Sequence, residues 1–543
     1  MKFEIFDTDA LGRVCEFEFK KKKILTPTLF PVIHPYNNLL KPAEIKNLGF
    51  NNIFTNAYIL YQNEEERKKV LEKGIHEYLD FDGLIATDSG AFQQYMYHNE
   101  EIMISPYEIE EFEERIGSDL PVILDAPVQP TDEYEEAQKK VNLSIQRAKD
   151  NIKRRTQKCC WMGPIHGSLY PDLLKKSSIE MSNLDFGVYA LGGLVKYFLD
   201  YRFNSIIQIL TLAKHYLNPD KPIHMFGLGL PQFFSLAVAF GCDLMDSAAY
   251  ILYAKDNRYF SLITGTAHLD ELKEFPCVCP ICSTHTPEEL LKCENEVKIK
   301  LLAQHNLSLS LLELKTIRQA IREGKLWQLV EERVRSHPSL VNALSSLKKL
   351  APAFEIYEKI YKPHGQILSS FESKYRPLIY RYQRRLQNRY RIPHHVKYLI
   401  LFPQFDVKGT QSPLSLEWLR ILDNNQIIPR KYIHCIFFSE FFGIIPIELI
   451  NTYPMGQHEA IWYEDFSNNL YHKLQKSIIR YINQSSSTYI KCAMLIPDEY
   501  TTQFNEVKPF DRKIYDRLFS LIKPRIKIPL FKASNLQEIL IWF

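Results

Sequence analysis

The chain has 543 residues, of which 45% are hydrophobic and 24% are charged, a composition that excludes a disordered or fibrous protein. Lys and Arg number 67 against 64 Asp and Glu, so a nucleic-acid surface would have to come from local clustering of charge. At this length we expect about two to four domains.

The N-terminal segment, MKFEIFDTDALGRVCEFEF, carries acids and lacks the apolar core of a signal peptide, so we expect a cytoplasmic protein. Its polarity alternates around Asp9–Gly12, which predicts an N-terminal hairpin over residues 1–24. Further along, Pro222–Cys242 has no formal charge over about a membrane-spanning length. Its glycines, prolines, His224 and Gln232 instead indicate the buried interior of a fold and no membrane segment.

Short apolar runs alternate with helical segments from residue 25 onward. The runs are Leu29–Ile33, Ile53–Leu60, Gly83–Ala86, Val122–Leu124, Trp161–Ile165, Val188–Leu191, Ile223–Phe226 and Asp243–Met245. The helical segments include Glu64–Tyr78, Pro106–Ile116, Asp132–Arg154, Pro171–Met181 and Tyr201–Tyr216. This pattern predicts an α/β fold with a (β/α)8 TIM barrel over residues 25–345. A doubly wound open sheet is the alternative, although no Gly-x-Gly-x-x-Gly follows the first strand.

Acids, a histidine, glycines and aromatics stand at the C-terminal ends of these runs, where α/β barrels place their reactive groups. They are Asp88 in TDSGAFQ, Asp125 in LDAP, His166 in PIHGS, Gly192 and Gly193 in LGG, Phe226 in MFGLG and Asp246 in MDSAAY. Together they predict a pocket in which Phe92 or Phe226 stacks on a flat ring, with Asp246 as the first candidate catalyst. Each residue also has a structural interpretation: the acids as helix caps, His166 as a core histidine and the phenylalanines as packing.

A cysteine cluster follows the eighth run. Cys277, Cys279 and Cys282 form Cys-x-Cys-x₂-Cys, and His305 follows on a helical segment. Three thiolates and one imidazole complete a tetrahedral zinc shell with no open position, which predicts one structural zinc per chain within residues 270–310. His285 and Cys293 compete for the fourth position, but His285 is too near the cysteine loop to fold back onto it.

Three of these motifs together resemble the tRNA-guanine transglycosylase family: TDSGAFQ, the acid of DLMDSAAY, and the cysteine motif with the histidine of LLAQHN. The resemblance covers about residues 25–345, and GLGLPQFFSLAVAFGCDLMDSAAYILYAKDNRY looks most like the archaeal branch. It implies a zinc-bearing (β/α)8 barrel that replaces a guanine in tRNA with a 7-deazaguanine. In the archaeal branch the base is 7-cyano-7-deazaguanine and the target lies in the D-arm, leading to archaeosine.

The resemblance also implies roles for single residues. Asp246 would be the nucleophile that forms a covalent intermediate with the ribose, and Asp88 the general acid and base, roles that suit two carboxylates. The base pocket would consist of Asp125, His166, Gly193, Leu194, Phe92 and Phe226. His166 stands where the family usually has glutamine, which bears on base preference, and Ala91 replaces the second glycine of the usual Ser-Gly-Gly.

The C-terminal part begins with a predicted helical basic linker over residues 346–395. Arg381, Arg384, Arg385 and Arg389 fall at helical spacing in a stretch without acids, which predicts a phosphate-contacting surface; an ordinary solvated helix is the alternative. Strands at Tyr398–Phe402, Ile433–Phe438 and Ile490–Ile496 predict an α/β domain over residues 396–543. FGIIPIELINTYPMGQHE resembles a region shared with archaeosine synthases, but Gln404 follows Pro403 where synthases have cysteine.

The leading hypothesis is a tRNA base-exchange enzyme that binds tRNA and a 7-deazaguanine base. Related enzymes are dimers, so the resemblance implies a homodimer, and because no stretch resembles a PUA module, a separate RNA-binding protein is a further expected partner. An archaeosine synthase is disfavoured because the cysteine is missing, and a non-catalytic tRNA-binding subunit because both acids are retained. A queuine-type enzyme acting on the anticodon stays open because of His166, although the C-terminal region counts against it.

Overall fold

The computed structural model describes residues 1–91, 104–404, 413–460, 468–498 and 511–543. The fold separates into two compact units, Met1–Ser346 and Leu347–Phe543. Among the described residues, no helix combines the length and the apolar character that crossing a membrane requires.

The first unit opens with an antiparallel sheet of β1 (Lys2–Asp9), β2 (Gly12–Phe19) and β3 (Lys22–Thr26). The hairpin predicted over residues 1–24 corresponds to β1 and β2, and β3 extends it by a strand that the sequence analysis did not predict. Phe17 and Ile24 from this sheet are buried in one apolar cluster with Phe30 and Leu84 of the parallel strands described next. The hairpin is therefore part of the core of the first unit.

Parallel strands form the centre of the first unit. They are β4 (Thr28–Pro31), β5 (Asn52–Asn56), β6 (Leu84–Asp88), β7 (Leu120–Pro121), β8 (Met162–Ile165), β9 (Val188–Leu191), β10 (Ile223–Met225) and β11 (Leu244–Ser247). One sheet has the order β5-β6-β7 and another the order β4-β11-β10-β9-β8. Isolated parallel bridges join Val32 to Phe54 and Val122 to Met162, so the pairings run through consecutive strands and return to β4. The α/β class predicted from the sequence is confirmed.

Helices connect these strands. They are Pro42–Asn47, Ala57–Gln62, Glu64–Lys73, Ile75–Leu79, Pro106–Ile116, Tyr134–Arg154, Pro171–Ser182, Val195–Leu199, Phe203–Tyr216, Pro231–Ala239 and Ala249–Lys255. The bounds predicted for Pro106–Ile116 are confirmed, because Ser105 and Glu108 form a capping box at its start and Gly117 ends it with φ +78°.

Two predicted elements near the N-terminus were wrong. The run Ile53–Leu60 is not one strand, because the Asn56 side chain accepts a hydrogen bond from the Ile59 amide and starts a helix there. The helix predicted over Glu64–Tyr78 is interrupted at Gly74, whose φ of +79° lies outside the helical region.

After β11 the chain forms a hairpin and a helical region. The hairpin pairs β12 (Arg258–Ser261) with β13 (Gly265–His268). The helices are Pro280–Thr284, Pro287–Lys292, Asn295–Glu323, Leu326–Arg333 and Pro338–Ser345, with 3₁₀ turns at Leu269–Glu271 and Val334–Ser336. The 29-residue helix Asn295–Glu323 packs on Ala249–Lys255 and on β1, β2, β4 and β12, so it joins the helical region to the parallel strands.

The second unit contains a five-stranded sheet and a two-stranded pair, β14 (Gln366–Leu368) with β18 (His458–Ala460). The strands of the larger sheet are β15 (Tyr398–Pro403), β16 (Ile433–Ser439), β17 (Gly443–Pro446), β19 (Lys491–Leu495) and β20 (Leu530–Ala533). Their order in the sheet is β17-β16-β15-β19-β20. The helices are Leu347–Phe354, Pro377–Arg389, Pro413–Asn424, Asn468–Gln484, Arg512–Ile522 and Leu536–Trp542, with 3₁₀ turns at Phe371–Tyr375, Arg430–Tyr432, Ile447–Leu449 and Lys523–Arg525. The three predicted strands are present, whereas β17 and β20 were not predicted.

Candidate active site and thiolate cluster

The C-terminal ends of the parallel strands bring the predicted pocket residues to one edge. Asn56 pairs with Asp88 across β5 and β6, and Asp246 pairs with Phe30 across β11 and β4. Ile165 and Met225 both pair with Leu191, so the residues that follow them, His166 and Phe226, leave the strands at the same level. We call this edge the pocket rim.

Asp88 ends β6 and is half-buried. The Asn56 side-chain amide donates to Asp88 Oδ2 at 3.0 Å, and the Gly90 backbone N–H donates to Oδ1 at 3.2 Å. Gly90 has φ +94°, and a Cβ there would lie 2.4 Å from Tyr58, so only glycine fits this turn. One hydrogen bond from the end of β5 and one from the turn after β6 therefore hold the Asp88 carboxylate.

Asp246 lies within β11 and is 9% exposed. Its Oδ1 atom accepts a hydrogen bond from the Gly227 backbone N–H at 3.2 Å and is 2.8 Å from His224 Nε2. The Gly227 N–H reaches the carboxylate from a left-handed turn with φ +75°. The nucleophile candidate is thus held by neighbours from β10 and from the loop that follows β10.

His224 is a candidate site residue, because it contacts Asp246, and the sequence analysis assigned it only to the buried interior. It lies on β10, two residues before Phe226, and alternate residues of a strand share a face. Its ring is fully buried, with its centroid 5.0 Å from that of Phe226 and 5.9 Å from that of Phe54. One sequence signal could have identified His224 as a site residue: it is a polar residue in an otherwise apolar run, two positions before the predicted pocket residue Phe226.

Asp125 and His166 meet across the loops after β7 and β8. His166 Nε2 lies 2.5 Å from Asp125 Oδ2, and the His166 side chain has no exposed surface. A Cβ on Gly192 would lie 2.3 Å from His166 Cε1, so a glycine at this position makes room for the imidazole. The His166 imidazole therefore contacts and orients the carboxylate of Asp125.

Three further predicted pocket residues, Gly193, Leu194 and Phe226, are among the described residues. Gly193 has φ +73°, and a Cβ there would lie 2.3 Å from the Val128 carbonyl oxygen. Leu194 is buried, and the Phe226 ring makes an edge contact with Phe54 at a centroid distance of 6.2 Å. Phe92, predicted to form the other wall of the stacking site, lies outside the described residues.

Cys277, Cys279, Cys282 and His305, which we call the thiolate cluster, offer ligand atoms that all lie within 4.8 Å of one another. His305 Nδ1 is 3.3 Å from Cys282 Sγ and 3.5 Å from Cys279 Sγ. The other ring nitrogen, Nε2, is 3.1 Å from the Phe260 carbonyl oxygen, and Tyr259 stacks on the ring at 3.7 Å. Because Nε2 donates to this carbonyl, Nδ1 keeps a lone pair for a metal ion.

The competing ligands His285 and Cys293 are not part of this group in the described ranges. Cys293 Sγ is 3.4 Å from the Glu289 carbonyl oxygen, and His285 Nδ1 is 2.9 Å from the Thr284 hydroxyl. The four residues chosen from their spacing are therefore those that lie together.

The basic helix Pro377–Arg389 departs from the prediction at one residue. Arg381 is 5% exposed, and its guanidinium donates to Glu355 Oε1 at 3.1 Å and to the Lys359 carbonyl oxygen at 2.9 Å. It cannot present a charge to solvent, because an acid from before the acid-free stretch covers it. Arg384 is half exposed although it also pairs with Glu355, and Arg389 is exposed. Arg385 lies farther from Glu355, at 3.9 Å.

Comparison with known proteins identifies the family. Residues 7–339 match the family described as queuine tRNA-ribosyltransferase. The tRNA-guanine(15) transglycosylase of Methanocaldococcus jannaschii is 40% identical over 466 residues, which cover 84% of this chain and 68% of that protein. The protein of the same name from Methanococcus maripaludis strain C5 is 38% identical over 471 residues, covering 86% of this chain and 70% of that protein.

A third relative, the tRNA-guanine(15) transglycosylase of Pyrococcus abyssi, is 41% identical over 387 residues, covering 71% of this chain and 65% of that protein. The match to the family spans more than half of the chain and includes the pocket rim and the thiolate cluster. The resemblance inferred from the motifs is confirmed, and the chain belongs to the tRNA-guanine transglycosylase family.

Proposed function

We propose that this protein is a tRNA-guanine transglycosylase that replaces the guanine at position 15, in the D-arm of tRNA, with 7-cyano-7-deazaguanine, a step in archaeosine biosynthesis. The observation that carries the proposal is a rim that holds two carboxylates, Asp88 and Asp246, in a chain that aligns with the Methanocaldococcus jannaschii relative over 84% of its length. A cytoplasmic location follows from a tRNA substrate.

We further propose that β4 to β11 close into a (β/α)8 TIM barrel. The support is the set of parallel pairings and bridges that proceeds through consecutive strands and returns to β4. Residues 25–345 would form this catalytic barrel with a zinc subdomain at 270–310, followed by the linker over 346–395 and the α/β domain over 396–543. The end of the first compact unit at Ser346 supports this division.

In the proposed reaction Asp246 attacks C1′ of the target ribose. A bond forms between its carboxylate oxygen and C1′, the bond between C1′ and N9 breaks, and the electron pair passes to the departing guanine. Asp88 gives that guanine a proton and later accepts one from the incoming base, whose nitrogen then attacks C1′ and releases Asp246. Asp88 accepts hydrogen bonds from the Asn56 amide and the Gly90 backbone N–H, and Asp246 accepts one from the Gly227 backbone N–H and lies 2.8 Å from His224 Nε2.

The base would be recognised by the Asp125 and His166 pair, since a carboxylate accepts hydrogen bonds from the donor edge of a purine. The backbone of Gly193 and Leu194 would lie alongside, and Phe226 and Phe92 would stack on the ring, a contact of about 1–3 kcal/mol per base. The candidate residues lie at the ends of the parallel strands, several of them buried, so the target nucleotide would have to leave its stack to reach them. Exposed Arg389, with Arg384 and Arg385, would contact phosphates of the tRNA.

The thiolate cluster fits a structural zinc ion. Three sulfurs and His305 Nδ1 supply a complete tetrahedral set, and the hydrogen bond from His305 Nε2 orients the ring toward it. With four protein ligands such an ion has no position for a reacting water. Its effect would be to fix the loop of Cys277–Cys282 against the helix Asn295–Glu323.

Cys282→Ser tests the metal proposal, with Cys293→Ser as its matched control. We expect the first variant to lose the metal and to unfold at a temperature several degrees lower, and the second to keep both near wild-type values. Metal content by elemental analysis and thermal unfolding are the two measurements. Equal metal content in both variants would overturn the ligand assignment.

The function is tested by incorporation of radiolabelled guanine into unmodified tRNA, with 7-cyano-7-deazaguanine as competitor. We expect incorporation at position 15 and its inhibition by the nitrile base, and no incorporation by Asp246→Ala or Asp88→Ala. Labelling at the anticodon would favour the queuine-type enzyme instead. A protein that binds tRNA with one zinc per chain but exchanges no base would be the non-catalytic subunit.

A further inference from the structure

His224 is a fully buried titratable residue at the pocket rim, and the proposed reaction gives it no role. Its ring has no exposed surface, and the rings of Phe30, Phe54 and Phe226 lie at centroid distances of 6.0, 5.9 and 5.0 Å. A polar ring buried among aromatic rings is costly unless its nitrogens are paired. The carboxylate of Asp246 supplies one such pairing, at 2.8 Å from Nε2.

The surroundings of the ring favour one tautomer. Nδ1 is buried, and no hydrogen-bond partner for it is found in the described part of the chain. An imidazolium would bury a second N–H without an acceptor, whereas the neutral form with its proton on Nε2 leaves only a lone pair there. The neutral tautomer therefore donates its single N–H to Asp246.

The donated hydrogen bond distinguishes the two oxygens of the carboxylate. Oδ1 accepts from His224 Nε2 and from the Gly227 backbone N–H at 3.2 Å. In the described residues no hydrogen bond to Oδ2 is recorded, and the Asp246 side chain keeps 13% of its surface exposed. One oxygen is thus anchored, and the other retains its lone pairs for a bond to carbon.

We propose that His224 is a positioning residue: its neutral Nε2–H fixes Oδ1 of Asp246 so that Oδ2 is the atom that attacks C1′ of the ribose. This inference rests on the proposed function. The new bond forms from Oδ2, the glycosidic bond breaks, and its electron pair leaves with guanine, while His224 keeps its proton throughout. His224 touches neither the tRNA nor the base in this role.

The test uses two substitutions of the full-length protein. His224→Phe keeps an aromatic ring among Phe30, Phe54 and Phe226 but removes the donor, and His224→Gln places an amide N–H at nearly the position of Nε2. His215→Phe, at an exposed site near the end of the helix Phe203–Tyr216, is the matched control. Steady-state guanine exchange gives kcat and the KM for tRNA, and thermal unfolding reports the fold.

We expect His224→Phe to lower kcat by about 10- to 100-fold, as for loss of a hydrogen bond to a charged group, with the KM for tRNA and the unfolding temperature near wild type. His224→Gln should restore kcat to within about fivefold of the wild type, and the control should match wild type. Full kcat in the Phe variant, or a Gln variant as slow as the Phe variant, would overturn the positioning role. If the Phe variant does not fold, the Gln variant decides by the same fivefold criterion.

Different results would overturn the proposed function and the positioning role of His224. A wild-type protein that exchanges no guanine overturns the proposed function and this role with it. A wild type that exchanges guanine beside a His224→Phe variant of equal rate overturns the positioning role alone.

Discussion

Asp243 stands just before β11, and Asp246 lies three residues later, near the C-terminal end of that strand. The side chains around the two carboxylates differ. Asp243 precedes β11, has no exposed surface and pairs with Arg13, whose Nε and Nη2 donate to its two oxygens at 2.7 and 2.8 Å. Its Oδ2 also accepts from the Ile223 amide at 2.8 Å. Asp246, toward the other end, accepts a hydrogen bond from the Gly227 backbone N–H, lies 2.8 Å from His224 Nε2 and retains some exposure.

We propose that this contrast separates a carboxylate that stabilises the fold, Asp243, from the candidate nucleophile, Asp246. An acid whose oxygens are both occupied by a buried guanidinium is a poor nucleophile, because its charge is already compensated. An acid with one unoccupied oxygen and no paired cation keeps its reactivity. In barrels of parallel strands, residues at the N-terminal ends usually serve stability and those at the C-terminal ends chemistry, and the two ends of β11 agree with that division.

The largest effect is expected from Asp246→Asn. The amide preserves shape but cannot form the covalent intermediate, so the exchange rate should fall by at least about 10³-fold with the unfolding temperature almost unchanged. Guanine incorporation and thermal unfolding measure the two quantities, with the exposed Asp256→Asn as control. A large loss of stability without loss of exchange would reverse the roles of the two ends of the strand.

Asp243→Asn should have the opposite result. Removal of one partner leaves the Arg13 guanidinium buried without its counter-charge, which costs about 3–5 kcal/mol of unfolding free energy. Exchange per folded molecule should stay within about threefold of the wild type at a temperature where the variant is folded. Denaturant titration and active-site-normalised rates check this pair of outcomes, and an equally stable variant would contradict it.

The pH dependence of stability should sharpen the same distinction. Burial opposes ionisation of Asp243, but the charge of Arg13 outweighs it and holds the pKa of Asp243 below its ordinary value of 3.8. A depressed carboxyl pKa stabilises the fold fully above the unfolded-state pKa, and this contribution is lost as pH falls through the folded-state pKa. The difference in unfolding free energy between wild type and Asp243→Asn should therefore be constant from about pH 5 to about pH 7 and shrink below about pH 4. Denaturant titrations across that range measure it, and a difference that shrinks already above pH 5 would contradict the ion-pair explanation.

The smallest effect is expected from His166→Gln. A glutamine amide can still donate to Asp125, so exchange should persist, and the KM for the incoming base should change by about tenfold or less. The KM for tRNA should not change, because the pair lies in the base pocket. Base-competition kinetics with guanine and 7-cyano-7-deazaguanine measure this, and loss of all exchange would place His166 in the chemistry together with Asp246.

Most of the candidate rim residues could be located from the sequence because they stand at the end of an apolar run or within two residues after it. Asp88, Asp125 and His166 could be placed from the run boundaries alone, and the spacing of the cysteines identified the thiolate cluster. His224 was not predicted as a site residue because it lies inside its strand. The strand register that turns it toward Asp246 is not visible in one sequence. Arg381 was misplaced because its partner, Glu355, precedes the acid-free stretch and meets it only through folding.

The long helix Asn295–Glu323 connects the thiolate cluster to the start of β4. It carries His305 of the thiolate cluster and, 13 residues later, Arg318, whose guanidinium donates to the Pro27 carbonyl oxygen at 2.6 Å just before β4. At 1.5 Å per residue these two attachments are about 20 Å apart along one continuous rod. Asn306 adds further ties to the Tyr250 and Arg258 carbonyl oxygens. If a metal ion occupies the thiolate cluster, we expect it to restrain local opening at both attachments, so amide hydrogen exchange around the cysteines and at the start of β4 should slow together when the ion is bound.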